Sequence, residues 1–191
     1  MNVIMVTGRR PKYMDDAYDL MHPLNIKMGR VMRQFILEQG GYMKETNSFS
    51  REEPIRLVTG MALGADTVWA MVALKLKRDF PGVFELECAI PCKDHAKRMS
   101  AEDRKRYDHI LQQADLVTHV SKQPYKGWLM QKRNEYMVDI SNTIFAVWEG
   151  KEEGGTYNCI RYAEKKGREI YRYFPTKDEI WLVHHEGNAT S

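Results

Sequence analysis

Short apolar runs that do not alternate with polar residues constrain this chain most. Ile4-Met5-Val6 and Phe145-Ala146-Val147 are apolar at every position, the pattern of strands covered by helices on both faces. Runs of this kind predict strands at Asn2–Thr7, Ile55–Thr59, Phe84–Ile90, Leu116–Val120, Thr143–Trp148 and Glu169–Phe174. Amphipathic stretches between them predict helices at Leu24–Gln39, Ala65–Arg78, Ala101–Gln113, Leu129–Ile140 and Tyr157–Lys166. In the helix after Gly60, the residues Val68, Met71, Val72 and Leu76 recur at three- and four-residue steps, so one face is buried. Alternating strands and helices imply a mainly parallel sheet in an α/β, Rossmann-like three-layer sandwich. Ligands of such sheets bind beyond the carboxyl ends of the strands.

The 191 residues, 43% of them hydrophobic, suffice for one domain with an ordinary core. Residues 1–175 are expected to form it, with 176–191 a C-terminal extension whose polar end, His184–Ser191, frays. Gly40–Pro54, with its Gly pair and Thr46-Asn47-Ser48, reads as a loop or an insertion. A net charge of +3 does not by itself argue for nucleic acid. Acidic and basic residues are mixed from Arg98 to Arg106, as on a solvated helix face. Cys88, Cys92 and Cys159 have neither metal spacing nor an even count for disulfides, and the histidines show no metal spacing either. The apolar runs are too short to span a membrane, and Asn2 leads straight into the first strand, so a cytoplasmic protein is expected.

Glycines fall where the fold class puts ligands. Gly60-Met61-Ala62-Leu63-Gly64-Ala65-Asp66 joins a strand to a helix, and such a turn presents backbone N–H groups at the positive end of a helix dipole. Asp66 either accepts from a ribose hydroxyl or orients the turn. Thr7-Gly8-Arg9 ends the first strand, where Thr7 and Gly8 allow close approach and Arg9 can close over a ligand. Gly154-Gly155-Thr156 precedes the last helix, its amides and hydroxyl suited to phosphate oxygens. Arg133 and Asn134 are expected at the start of a helix near that last turn. The planar fork of Arg133 would then reach phosphate or carboxylate.

These motifs occur in one order, together with Ile90-Pro91, Ala114-Asp115, Met137-Val138-Asp139 and Trp148-Glu149-Gly150. The ordered set resembles the YpsA-like branch of the SLOG superfamily, the Rossmannoid group that includes DprA and the LOG proteins, over roughly residues 2 to 175. The resemblance implies a SLOG-type fold, a bacterial or phage source and a nucleotide-derived ligand. LOG enzymes hydrolyse the N-glycosidic bond of nucleoside monophosphates with an Arg and a Glu. Arg133 matches that Arg, but Tyr157-Asn158-Cys159-Ile160 follows Thr156, so the Glu is missing. Glycosidic cleavage needs a carboxylate.

The leading expectation is therefore binding or sensing of a nucleoside monophosphate, an ADP-ribose or a related molecule. Thr7, Gly8, Arg9, Gly60, Gly64, Asp66, Arg133, Asn134, Gly154, Gly155 and Thr156 are its candidate contacts. A LOG-type phosphoribohydrolase is the enzymatic alternative, with Arg133 joined by Asp66, Glu135 or Glu153. DprA-like binding of single-stranded DNA is the third, carried by Tyr125, Trp128 and Tyr136 among Lys122, Lys126, Lys132 and Arg133. No cofactor, metal or membrane partner is expected and nucleic acid is disfavoured; a homo-oligomer is left open.

Overall fold

Parallel strands joined by helical crossovers set the architecture of the computed structural model, which describes residues 1–14, 16–50, 53–175 and 179–184. The main sheet contains β1 (Asn2–Gly8), β4 (Ile55–Thr59), β5 (Phe84–Ile90), β6 (Leu116–His119), β7 (Thr143–Val147), β8 (Glu169–Phe174) and β9 (Glu179–His184). Its order is β6-β5-β4-β1-β7-β8-β9, parallel throughout except for the last pair. The helices are α1 (Pro23–Gln39), α2 (Ala65–Asp79), α3 (Ala101–Gln113), α4 (Gly127–Ile140) and α5 (Gly154–Lys165).

Two apolar cores, one on each side of the sheet, make the third dimension. Met32, Phe35 and Ile36 of α1, Trp69 and Leu76 of α2, and Ile110 of α3 pack with Ile4, Leu57, Leu86 and Phe145. On the other side Met137 and Val138 of α4 and Cys159, Ile160 and Ala163 of α5 pack on Val3, Met5, Val58 and Ile144. Successive residues of each strand thus serve opposite cores, which is why the runs read as apolar without alternation. The α/β, Rossmann-like three-layer sandwich expected from the sequence is the fold observed.

The chain winds from β1 through β4 and β5 to β6, then crosses to β7 on the other side of β1. This reversal falls between β1 and β7, and the carboxyl ends of the strands at such a point are where open α/β sheets hold ligands. Gly8 lies there because nothing larger fits. A Cβ on Gly8 would stand 2.6 Å from the Cβ of Ala65 and 2.9 Å from that of Val147.

Three features differ from the sequence reading. Gly40–Pro54 contains a hairpin of β2 (Tyr42–Met43) and β3 (Ser48–Phe49), whose Tyr42 and Phe49 rings pack on Phe80. Residues 179–184 add β9 to the sheet edge, with Ile180, Trp181, Leu182 and Val183 all exposed; the fraying expected beyond it lies outside the described residues. Helix α4 starts at Gly127 and α5 at Gly154, two and three residues earlier than periodicity indicates. Among the described residues, no helix is long and apolar enough to cross a membrane.

The crowding at Gly8 makes a direct test of this junction. Gly8→Ala should lower stability by about 1–3 kcal/mol, the range for overpacking a filled core. Urea unfolding followed by tryptophan fluorescence measures it, and an unchanged midpoint would show that β1, α2 and β7 part at little cost.

Candidate functional site

The β4–α2 turn is closed by its own side chains. Gly60 N donates to Asp66 Oδ1 at 3.0 Å, and Met61 N to Thr59 Oγ1 at 3.2 Å. Thr59 Oγ1 in turn donates to the Asp66 carbonyl at 2.9 Å, and Thr67 Oγ1 to the Ala62 carbonyl at 2.9 Å. Met61 adopts a φ of 58°, a left-handed conformation costly for a side chain of that size, and these bonds hold it there. Gly64 has a φ of 97°, and a Cβ on it would stand 2.7 Å from the Arg9 carbonyl. Of the two roles considered for Asp66, the geometry is that of orienting the turn. The Gly60 and Met61 amides serve the turn itself rather than facing outward as an anion cradle.

Arg133 locks the same turn from the opposite layer. It is 7% exposed, donates from Nη1 to the Gly60 carbonyl and from Nε to Asn134 Oδ1 at 2.9 Å, and stands 3.9 Å from Asp66 Oδ1. A Cβ on Gly60 would run into its guanidinium. This corrects the expectation that Arg133 is a partly solvated group pointing at the Gly154 turn. The early start of α4 puts Arg133 in the second helical turn, and Asn134 instead reaches toward α5, donating to the Gly155 carbonyl at 3.4 Å. Burial pushes the Asp66 carboxyl up and is opposed by Arg133 and by the Gly60 and Ala62 backbone. Burial likewise pulls Arg133 down, with Asp66 as its main support.

At the crevice between β1 and β7, Arg9 is buried and paired with Glu149. Its Nε donates to Oε2 at 2.9 Å and its Nη2 lies 2.7 Å from Oε1. Glu149 received no role in the sequence reading, although it stands two residues beyond the end of β7. Next to this pair α5 begins with Gly154 and Gly155. Its N-cap residue, Glu153, places no side-chain bond on the first-turn amides, and the space beside Gly155 is open. The Arg9 Nη1 stands 3.9 Å from where a Gly154 Cβ would be. Thr7, Gly8, Arg9, Asn134, Gly154, Gly155 and Thr156 are thus brought to one rim, with Thr7 and Thr156 both buried. Gly60, Gly64, Asp66 and Arg133 form the wall of the turn beside it.

The alternative catalytic carboxylates are engaged elsewhere. Asp66 holds the Gly60 amide, Glu135 accepts from Gln131 at 3.1 Å, and Glu153 pairs with Lys151 at 2.5 Å.

A cleft of about 620 Å³ opens beyond the ends of β1, β4 and β5. Arg10, Lys12, Lys97 and Arg98 line it, with Asp94, His95, Tyr18 and Tyr125. Of these, Tyr125 was singled out from sequence, as a stacking residue of the DNA reading, and the others were given no site role. Asp94 accepts from the Tyr125 amide at 2.6 Å. His95 Nε2 stands 3.1 Å from the Met61 carbonyl, so that nitrogen carries the proton. Burial, with help from Arg133, pulls the His95 pKa down to about 4, so the ring is neutral. Half-exposed rings stand around the mouth: Lys12 lies over Tyr13 at 4.6 Å, Arg98 over Tyr125 at 5.9 Å and Lys132 over Trp128 at 6.0 Å. Tyr136 is not among them, since its hydroxyl donates to buried Glu87 at 2.6 Å.

Fold and site together define a SLOG-type Rossmannoid protein. The sequence model described as the YspA SLOG family, YpsA, matches residues 41–176, and the chain belongs to that family. The SPbeta prophage-derived protein YoqJ of Bacillus subtilis is 34% identical over 139 residues, covering 66% of this chain and 80% of that protein. UPF0398 protein BH1768 of Halalkalibacterium halodurans is 29% identical over 111 residues, 58% of either chain. Among solved structures, DNA processing protein A (DprA) from Streptococcus pneumoniae superposes with a TM-score of 0.55 at 18% identity. That match covers 90% of this chain but 50% of DprA. The Helicobacter pylori DprA described for its single-stranded DNA binding mode gives 0.52 at 14% identity, covering 90% and 64%. These likenesses establish the shared fold.

Arg133→Ala should cost about 3–5 kcal/mol, because it leaves Asp66 buried without its partner. The Asp66 carboxyl then rises further. A carboxyl whose folded pKa exceeds its unfolded value binds its proton more tightly when folded, so stability drops as pH rises through that interval. The deficit of the variant should therefore be smaller in mild acid than at neutral pH, and Asp66→Asn in the same chain should recover part of it. Denaturant titrations at two pH values measure this; an equal deficit at both would mean that removing Arg133 leaves the protonation of Asp66 unchanged.

Proposed function

We propose that the crevice binds a nucleotide-derived ligand, with a phosphate seated on the first turn of α5. The carrying observation is the state of that helix end: uncapped, opened by two glycines, and flanked by a buried arginine. Unpaired amides at the positive end of a helix are an anion site, and Arg9, held in place by Glu149, adds N–H donors beside them. The adjoining cleft has the volume of a small-molecule pocket and offers Tyr18 and Tyr125 for a base or ribose. Binding rather than glycosidic cleavage is the favoured reading, since Asp66, Glu135 and Glu153 are tied to other groups. Membership of the SLOG family supports the same ligand class.

Single-stranded DNA is the second reading. Exposed Tyr13, Tyr125 and Trp128, each with a cation over its ring, are the kind of platform on which bases stack. The H. pylori DprA named for that activity shares the fold. The net charge of +3 gives it little support, because strand binding draws on extensive phosphate neutralisation.

Thermal denaturation with AMP and ADP-ribose tests the first reading. A ligand at a hundred times its Kd stabilises by about 2.7 kcal/mol, a readily measured rise in Tm. Gly155→Asp should abolish the rise, since its carboxylate occupies the open space and puts a negative charge on the first turn, while the unliganded Tm stays level or increases with the favourable helix-dipole interaction. Persistence of the ligand effect in that variant would remove α5 from the site.

A further inference from the structure

We infer that the ligand of this crevice carries a second anionic group well separated from the first, as a 5′-phosphorylated dinucleotide does. This rests on the nucleotide reading above and extends it to Arg10, Lys12, Lys97 and Arg98. The inference starts from charge balance. Over most of the surface arginines are paired: Arg33 with Asp79, Arg56 with Glu85, Arg104 with Asp108, Arg106 with Glu102 and Asp103, and Arg161 with Glu164. In the 620 Å³ cleft four cations converge, and among the described residues none of them meets a carboxylate within ion-pair distance. Against them the lining sets one carboxylate, Asp94, which accepts from the Tyr125 amide and leaves the four cations in excess. Neutral His95 adds no charge of its own. Converging like charges raise the energy of the fold, and an anion in their midst relieves it.

The two anion positions are not the same place. Arg9 and Arg10 are consecutive, and Arg10 has an extended backbone, with φ −75° and ψ 157°. Neighbouring side chains on extended backbone point to opposite sides. Arg9 turns to Glu149 and α5, while Arg10 turns into the cleft beside Ala62, Leu63 and His95. In the sheet the order β7-β1-β4-β5 separates the end under α5 from the end under the cleft. At a strand spacing of about 4.8 Å, the two positions are on the order of 10–14 Å apart. The phosphates of a pyrophosphate share one oxygen and cannot reach both. A nucleoside between two phosphates opens the gap, and the long arginine and lysine side chains close the remainder. Tyr18 and Tyr125, lining the cleft, supply faces for the intervening base.

The test is calorimetric titration of the full chain with AMP, ADP-ribose and the 5′-phosphorylated dinucleotide pApA. The dinucleotide should bind at least tenfold more tightly than AMP. In a K97A/R98A variant its affinity should fall about tenfold while that of AMP falls less than threefold; Gly155→Asp should weaken both. Equal affinity for pApA and AMP, or equal losses for the two in K97A/R98A, would overturn the two-position ligand and leave the nucleotide crevice standing. Affinity that keeps rising with each nucleotide up to a ten-residue strand would overturn it in favour of single-stranded DNA. Failure of all three ligands to bind would overturn the underlying nucleotide reading as well.

Discussion

The contact between Arg133 and the Gly60 carbonyl, backed by Asp66, is the fastening on which the carboxyl end of the sheet depends. Helix α4 packs on one face of the sheet and α2 on the other, so no apolar contact can join them through the strands. The guanidinium does so around the strand end, reaching from α4 to a turn that opens α2. That turn holds Met61 in a strained conformation and brings Gly64 against the Arg9 carbonyl. Fixing it therefore also fixes where the β1 end, with Thr7, Gly8 and Arg9, can lie. A buried ion pair is a weak source of net stability but a strong one of defined geometry when its other donors and acceptors are filled. Here Asp66 accepts from Gly60, and Arg133 donates to Asn134 and Gly60.

From this fastening the division of labour among the glycine turns follows. Three turns look alike in sequence because each places glycine after a strand. In the folded chain they differ in what happens to their amides. The β4–α2 turn gives the Gly60 and Met61 amides to its own side chains, although α2 too has no side-chain cap at Gly64, and the β1 end gives the Arg9 amide to the Val147 carbonyl at 3.3 Å. The α5 turn receives no side-chain cap. One turn is built as a brace, one as a close-packed junction and one as an open helix end.

The fold was legible because its signals are local. Unalternating strands and a three- to four-residue helix period place most elements to within a residue or two. What stayed hidden was too short for a period, as in Tyr42–Met43 and Ser48–Phe49, while β9 has the apolar run Ile180-Trp181-Leu182-Val183, a strand signal left unread beside the polar tail. That Gly8, Gly60 and Arg9 stand at strand ends was legible for the same local reason. The role of Arg133 was not, because it depends on a partner 67 positions away, Asp66, and on two helical residues, Gly127 and Trp128, that carry no periodic signal. Arg98 shows the limit of averaging charge along the chain. It opens a segment that reads as a solvated face, and Arg104 and Arg106 do pair within α3. Arg98 itself precedes the Ser100 cap, where Ser100 Oγ accepts from the Asp103 amide at 3.1 Å, and turns into the cleft.

His95 ties the brace to the electrostatics of the cleft. Its Nε2 proton is committed to the Met61 carbonyl, so the strained residue of the turn also sets the tautomer of the ring. Burial comes first in holding the imidazole neutral, and the charges of Arg133 and Arg10 add to it. The same arginine that fastens the turn thus keeps the histidine from ionising. With its pKa down at about 4, His95 stays uncharged throughout the physiological range, where an ordinary histidine would titrate. Arg10, Lys12, Lys97 and Arg98 are then the cationic groups of the cleft. The ring of His95 is therefore no source of a change of charge in the cleft near neutral pH.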